Sequence, residues 1–173
     1  MSSATPMDIG LFMGDAGMAT LSYRLNDSWK IHSFPAGDDC KSIAESVMCA
    51  LETLPPARLV LNRAGLGDVI GNELREKGAA VLMVKMAAPL KKPQERAEYL
   101  NLRAKCYVKL NEQPEALDSF CLDIPGPFSL DSCLQSDSGC WRVIKLMMMR
   151  MFYPDHYMGL EASALCIAGE FYA

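Results

Sequence analysis

Three acidic positions stand where an α/β sheet would place a site: Asp15 at the end of a first apolar strand, Asp68 after a fourth, and Asp155 or Glu161 at the start of a last helix. Carboxylates at strand ends suit Mg²⁺ or Mn²⁺, because hard cations prefer oxygen ligands. Two such ions can activate a water and stabilise a leaving phosphate oxygen. The same residues have ordinary structural uses as well. Asp15 and Asp68 fall in turns, and Asp155 is placed to cap a helix.

Other chemistries find less support. Gly65-Leu66-Gly67 ahead of a helix offers backbone N–H groups to a phosphate, but no third glycine follows in register and no Walker A sequence occurs. The chain therefore shows no nucleotide-driven motor of its own. His32 and His156 are the only histidines and no G-x-S-x-G elbow is present, which argues against a serine-hydrolase triad. The seven cysteines form an odd set without a C-x-x-C pair, several within apolar stretches. That pattern favours reduced thiols in the cytoplasm over a disulfide framework, and it disfavours zinc. No basic-then-apolar leader and no run near the length of a membrane helix is seen, so neither secretion nor membrane insertion is expected.

Charge is unevenly distributed. The net charge is −4, with Lys+Arg 17 against Asp+Glu 21, so the molecule as a whole does not resemble a nucleic-acid binder. Yet Lys85, Lys91, Lys92, Arg96, Arg103, Lys105 and Lys109 face only Glu95 and Glu98 in their segment, a local charge of +5. Such a patch binds phosphates in a salt-dependent way, or serves simply as a solvated helix face. Arg142, Lys145 and Arg150 extend it in sequence.

The elements that must position these groups follow from apolar periodicity. At 173 residues and 50% hydrophobic composition the chain suits one folded domain spanning 1–173. Three strands open it: one over Asp8 to Gly17, one over Ala19 to Leu25, and one around Trp29, Ile31 and Phe34, joined as a meander by the turn at Asn26-Asp27. Ile43, Val47, Leu51 and Leu54 predict an amphipathic helix stopped by Pro55-Pro56. Arg58 to Leu61 reads as a buried strand, Val69 to Lys77 as a helix closed by Gly78, and Ala79 to Met86 as another strand. That alternation argues for parallel crossovers. One long helix is expected from Pro93 to about Gln113, irregular or hairpin structure from Glu115 to Gly139, and a closing helix after Tyr153-Pro154-Asp155.

The segments LVLNRAGLGDVIGNELREKGAAVLMVKM and ERAEYLNLRAKCYVKLNE, with Asn62, Gly65 to Gly67, Leu74 to Gly78 and Asn101-Leu102-Arg103-Ala104, resemble the nuclease domain of tailed-phage large terminases, the DNA-packaging enzymes. LFMGDAGMATLSY is similar to that family's first strand with its metal-binding aspartate, and MRMFYPDHYMGLEASALCIA to its closing S-P-D-x-x-D-A-L helix. The resemblance runs nearly the whole chain in the right order. It implies an RNase H-like fold, a mixed five-stranded sheet with three antiparallel and two parallel strands flanked by helices. It also implies cleavage of double-stranded DNA by a metal-activated water, with Asp15 bridging two ions, and residence in a bacterial host cytoplasm if the chain is phage-encoded.

Two family acids are substituted here. The second carboxylate position holds Asn62, and the aspartate of the closing motif holds Met158. Asparagine still offers a neutral oxygen, whereas a thioether does not serve a hard ion. A migrated site would draw on Asp15, Asp68 and Asp155 or Glu161, since Asp155 and Glu161 lie one turn before and after Met158. Two readings follow: an Mg²⁺- or Mn²⁺-dependent DNA endonuclease, with Asp15, Asp155 and Glu161 on the metal and the Lys85 to Lys109 patch on DNA; or a catalytically eroded module that binds DNA or a packaging protein, such as a separate packaging ATPase, without cleaving.

Overall fold

The computed structural model describes residues 6–113 and 129–172. Most of the segment expected to be irregular, 115–128, lies outside the described residues. Five strands, β1 (Met7–Met13), β2 (Met18–Leu25), β3 (Ser28–Pro35), β4 (Ala57–Asn62) and β5 (Ala80–Val84), form one sheet in the order β3-β2-β1-β4-β5. β1, β2 and β3 run antiparallel in sequence, and β4 and β5 add in parallel on the other side of β1. This is the mixed sheet the sequence implies. The two-residue turn at Asn26 and Asp27, both with positive φ, matches the right-handed twist of the β2–β3 ribbon.

The two parallel crossovers supply α1 (Cys40–Leu51) and α2 (Leu66–Glu76), which cover one face. Asp39 caps α1 by accepting from the Lys41 and Ser42 amides at 3.0 Å. Strand alternation sends Ile9, Leu11, Leu21, Leu59 and Leu61 into a core with Ile43, Val47, Ile70 and Leu74.

The other face is covered by α4 (Leu102–Asn111) and the closing helix α6 (Pro154–Glu170), whose Leu160, Ala164 and Ile167 join Val60, Val84, Cys106 and Leu110. Helix α6 lies directly on β1. A Cβ on Gly10 would fall 1.7 Å from the Ala162 carbonyl oxygen, so only glycine permits this approach. Where α6 also covers β2, the buried Ser22 and Ser163 hydroxyls hydrogen-bond at 2.5 Å, and Ser163 donates to Gly159 O at 2.8 Å.

The expected long helix from Pro93 is interrupted. A short α3 (Pro93–Glu98) ends before Tyr99, and α4 starts afresh at the Asn101 N-cap, whose side chain accepts from Ala104 N at 2.9 Å. The break is made by a distant strand: Tyr99 bridges to Trp141, and Leu100 N donates to Trp141 O at 2.9 Å. Tertiary pairing overrides the helical periodicity here. Trp141 belongs to a hairpin of β6 (Leu134–Asp137) and β7 (Cys140–Val143), which leads into α5 (Leu146–Phe152).

Candidate functional site

The carboxyl ends of β1 and β4 point the same way, so the turns that leave the two strands share one edge of the sheet. After β1, Gly14 N donates to Met18 O at 2.8 Å, and the chain turns through Asp15, Ala16 and Gly17 with φ of 54° at Ala16 and 69° at Gly17. This tight turn pushes the Asp15 carboxylate outward. Arg150 of α5 meets it with both ends of its fork: Nη2 to Oδ1 at 2.6 Å and Nε to Oδ2 at 3.1 Å. Hydrogen bonds from that guanidinium hold the Asp15 carboxyl below the usual carboxylate range.

Asp15 and Arg150 line a cleft of about 300 Å³ together with Asp155, Tyr157 and Met158 from the first turns of α6. Asp155 is thus the one other expected acid on the same cleft. Met158 is almost fully buried beneath it, and a Cβ on Gly14 would fall 2.1 Å from its Sδ. The thioether therefore plugs the floor beside Asp15. The Tyr157 ring meets Phe12 edge to face, 5.4 Å between centroids.

Glu161 and Asp68, also expected at the site, do not line this cleft. Glu161 is 1% exposed and faces α4, where Arg103 reaches both carboxylate oxygens at 3.2–3.4 Å and Tyr107 Oη donates at 2.6 Å. Burial, reinforced by that carboxylate, lifts the Tyr107 phenol well above its ordinary range. Asp68 opens α2 and pairs with Arg63 at 3.3 Å on the surface. Asn62 is spent on the fold: its Oδ1 accepts from Met86 N at 3.1 Å and ties the end of β4 to the chain beyond β5.

The basic run divides in two. Lys85, Lys91, Lys92 and Arg96 are exposed and hold no ion pair among the described residues. Arg103 is committed to Glu161, Lys105 to Glu95 at 2.7 Å with its ammonium 3.8 Å over the Phe171 ring, and Lys109 to Glu112 at 3.0 Å. The exposed part gains a cation that the charge pattern of the sequence did not reveal. Arg63 joins Lys85 and Lys91 around a groove of about 240 Å³ with Leu90 and Tyr172. The signal for it was the parallel pairing of β4 with β5, which puts Asn62 opposite Val84 and so Arg63 beside Lys85.

A second feature that sequence reasoning passed over lies beside the cleft. Helix α5 buries Met149 and leaves Met147, Met148, Met151 and Phe152 at 46–68% exposure. A four-residue apolar surface of this size on one short helix is of the kind that marks protein contacts.

The donor set does not fit the two-ion centre that the resemblance implies. The Asp15 oxygens face a guanidinium, Asn62 Oδ1 holds a backbone amide, Met158 presents sulfur, and the Glu161 oxygens belong to Arg103 and Tyr107. Among the described residues no three His, Cys, Asp or Glu side chains form a group able to hold a metal ion. No described helix is long and apolar enough to cross a membrane.

No protein-family model and no curated protein sequence matches the chain. Solved structures do. The nuclease domain of the large terminase subunit gp2 of bacterial virus Sf6, in a lysine-to-alanine mutant with manganese, superposes with a TM-score of 0.63 at 14% identity, covering 96% of this chain and 89% of that one. The calcium form of the mutant gives 0.63 at 15% identity over 94% and 88%, and a further structure of the Sf6 nuclease domain gives 0.60 at 13% over 93% and 86%. The chain has the RNase H-like fold of terminase nuclease domains.

Proposed function

We propose that the chain is a non-cleaving RNase H-like module of a viral DNA-packaging apparatus, holding duplex DNA by its phosphates. The observation that carries this reading is the Arg150 guanidinium seated on Asp15, the carboxylate that the chemistry would need free. The exposed cations Lys85, Lys91, Lys92 and Arg96 supply the phosphate contacts, and such contacts are lost steeply with salt. The exposed part of the +5 segment thereby serves binding on a molecule of net charge −4.

The test is a pair of assays on one preparation. Supercoiled plasmid incubated with Mn²⁺ should stay unnicked, while a DNA duplex should be retained at low salt and released as salt rises. Nicking that disappears in Asp15→Asn would overturn the reading in favour of the endonuclease. That second reading is favoured by one observation, that Asp15 and Asp155 line the same cleft. Mg²⁺ or Mn²⁺ would there rest on these two carboxylates. The apolar surface of α5 supports a packaging protein, such as a separate packaging ATPase, as an additional partner.

A further inference from the structure

Asp15 and Asp155 stand on one small cavity whose floor is the apolar Met158, and no divalent-ion donor set accompanies them among the described residues. Both side chains are exposed, and Asp15 already carries a cation of the chain itself. Arg150 is that cation, and its placement is built from the core outward. Met149, its neighbour on α5, is fully buried, and α5 closes at Tyr153, whose N donates to Met149 O at 2.7 Å just before α6 begins. From this position α5 delivers the next side chain to the β1–β2 turn. The guanidinium then meets both Asp15 oxygens in the planar fork geometry that matches a carboxylate.

We infer that Arg150 is a tethered counter-cation that has taken over the place of a divalent metal in this cleft and keeps such ions away from Asp15. The inference rests on the non-cleaving reading of the site. Exposed ion pairs within a chain are individually weak, but Arg150 is held beside Asp15 by the fold, so no bulk concentration of cation has to be reached for it to occupy the carboxylate. It excludes a divalent ion twice over, by holding the oxygens an ion would need and by placing a positive charge beside it. Asn62 and Met158 remove the ligands that would otherwise tip the competition toward metal.

The experiment titrates Mn²⁺ into the full chain and follows free ion by electron paramagnetic resonance, for the wild type, Arg150→Gln, Arg150→Ala and the double variant Arg150→Gln with Asp15→Asn. Circular dichroism confirms that each is folded, and the surface position of the pair predicts that all are. The wild type should bind no Mn²⁺ at millimolar metal. Arg150→Gln and Arg150→Ala should bind about tenfold tighter or more, as expected from removing a unit charge ~4 Å from a divalent ion. The gain should vanish in the double variant. Wild-type binding as tight as that of Arg150→Gln, or no gain in either single variant, overturns the role of Arg150. Plasmid nicking by the wild type is the separate result that sinks the non-cleaving reading itself.

Discussion

Arg103 and Glu161 meet across the α4–α6 contact with Nε 3.2 Å from Oε1, and the carboxylate is all but sealed from solvent. Fifty-eight positions separate the two residues. Their pairing turns what looked in sequence like a DNA-facing cation and a metal-facing acid into one internal device, completed by the Tyr107 hydroxyl.

Removing one partner leaves the other charge stranded. Arg103→Met should destabilise the fold by about 3–5 kcal/mol, and exchanging both residues for apolar ones should cost much less. Tyr107→Phe should cost about 1–3 kcal/mol, the loss of one buried donor. Urea denaturation of the two single variants and the double variant reads this directly; equal stability of Arg103→Met and wild type would refute the pairing.

Gly10 is a sharper packing test. Its Cβ would meet the Ala162 carbonyl and the Cys166 amide, both backbone, so Gly10→Ala should cost about 3 kcal/mol or more. Gly14→Ala meets only the flexible end of Met158 and should cost about 1 kcal/mol. Denaturant midpoints of the two variants should differ accordingly.

The thiols give a pH dependence. Burial pushes Cys166 up to about 12, against an ordinary value of 9.0, and raises Cys106 as well. A thiol held protonated in the fold but ionising in the unfolded chain contributes stability that is complete below the ordinary value and lost as pH climbs from about 9 toward about 12. Thermal melts across that window should fall progressively, and the slope should flatten in Cys166→Ala. At neutral pH the exposed Cys49 should be alkylated readily, with Cys106, Cys133 and Cys166 protected until the protein unfolds.

The split of the basic run is testable in DNA binding. Lys91→Ala, Lys92→Ala and Arg96→Ala should each lower the slope of log affinity against log salt by about 1. Lys109→Ala, whose ammonium is held by Glu112, should leave that slope unchanged. Fluorescence anisotropy over a salt series distinguishes the two sets.

On α5, Met151→Glu and Phe152→Ser should leave folding stability within about 0.5 kcal/mol, because both side chains already face solvent. The same changes should lower binding of a captured packaging partner in a pull-down. A large loss of stability would show that the apolar surface is covered within the chain.

The local pattern of residues settled a great deal by itself. Apolar runs and alternation bounded by turn signals placed the strands of the main sheet, the 3.6-residue period placed α1 and α6, a glycine stop closed α2, and the order strand, helix, strand argued for the parallel crossovers. These features are legible because they depend on neighbours within one or two turns of chain. The substitutions Asn62 and Met158 were equally plain, since identity at a position needs no coordinates. What only the tertiary structure decided depends on contacts between distant residues. The helix break at Tyr99 is set by a strand around Trp141, the Asp15 partner lies 135 positions away at Arg150, and Glu161 turned inward because Arg103 waits on the facing helix. A charge in sequence carries no direction. Packing α6 on β1 at Gly10, and α4 on α6, decides which charges meet each other and which meet water.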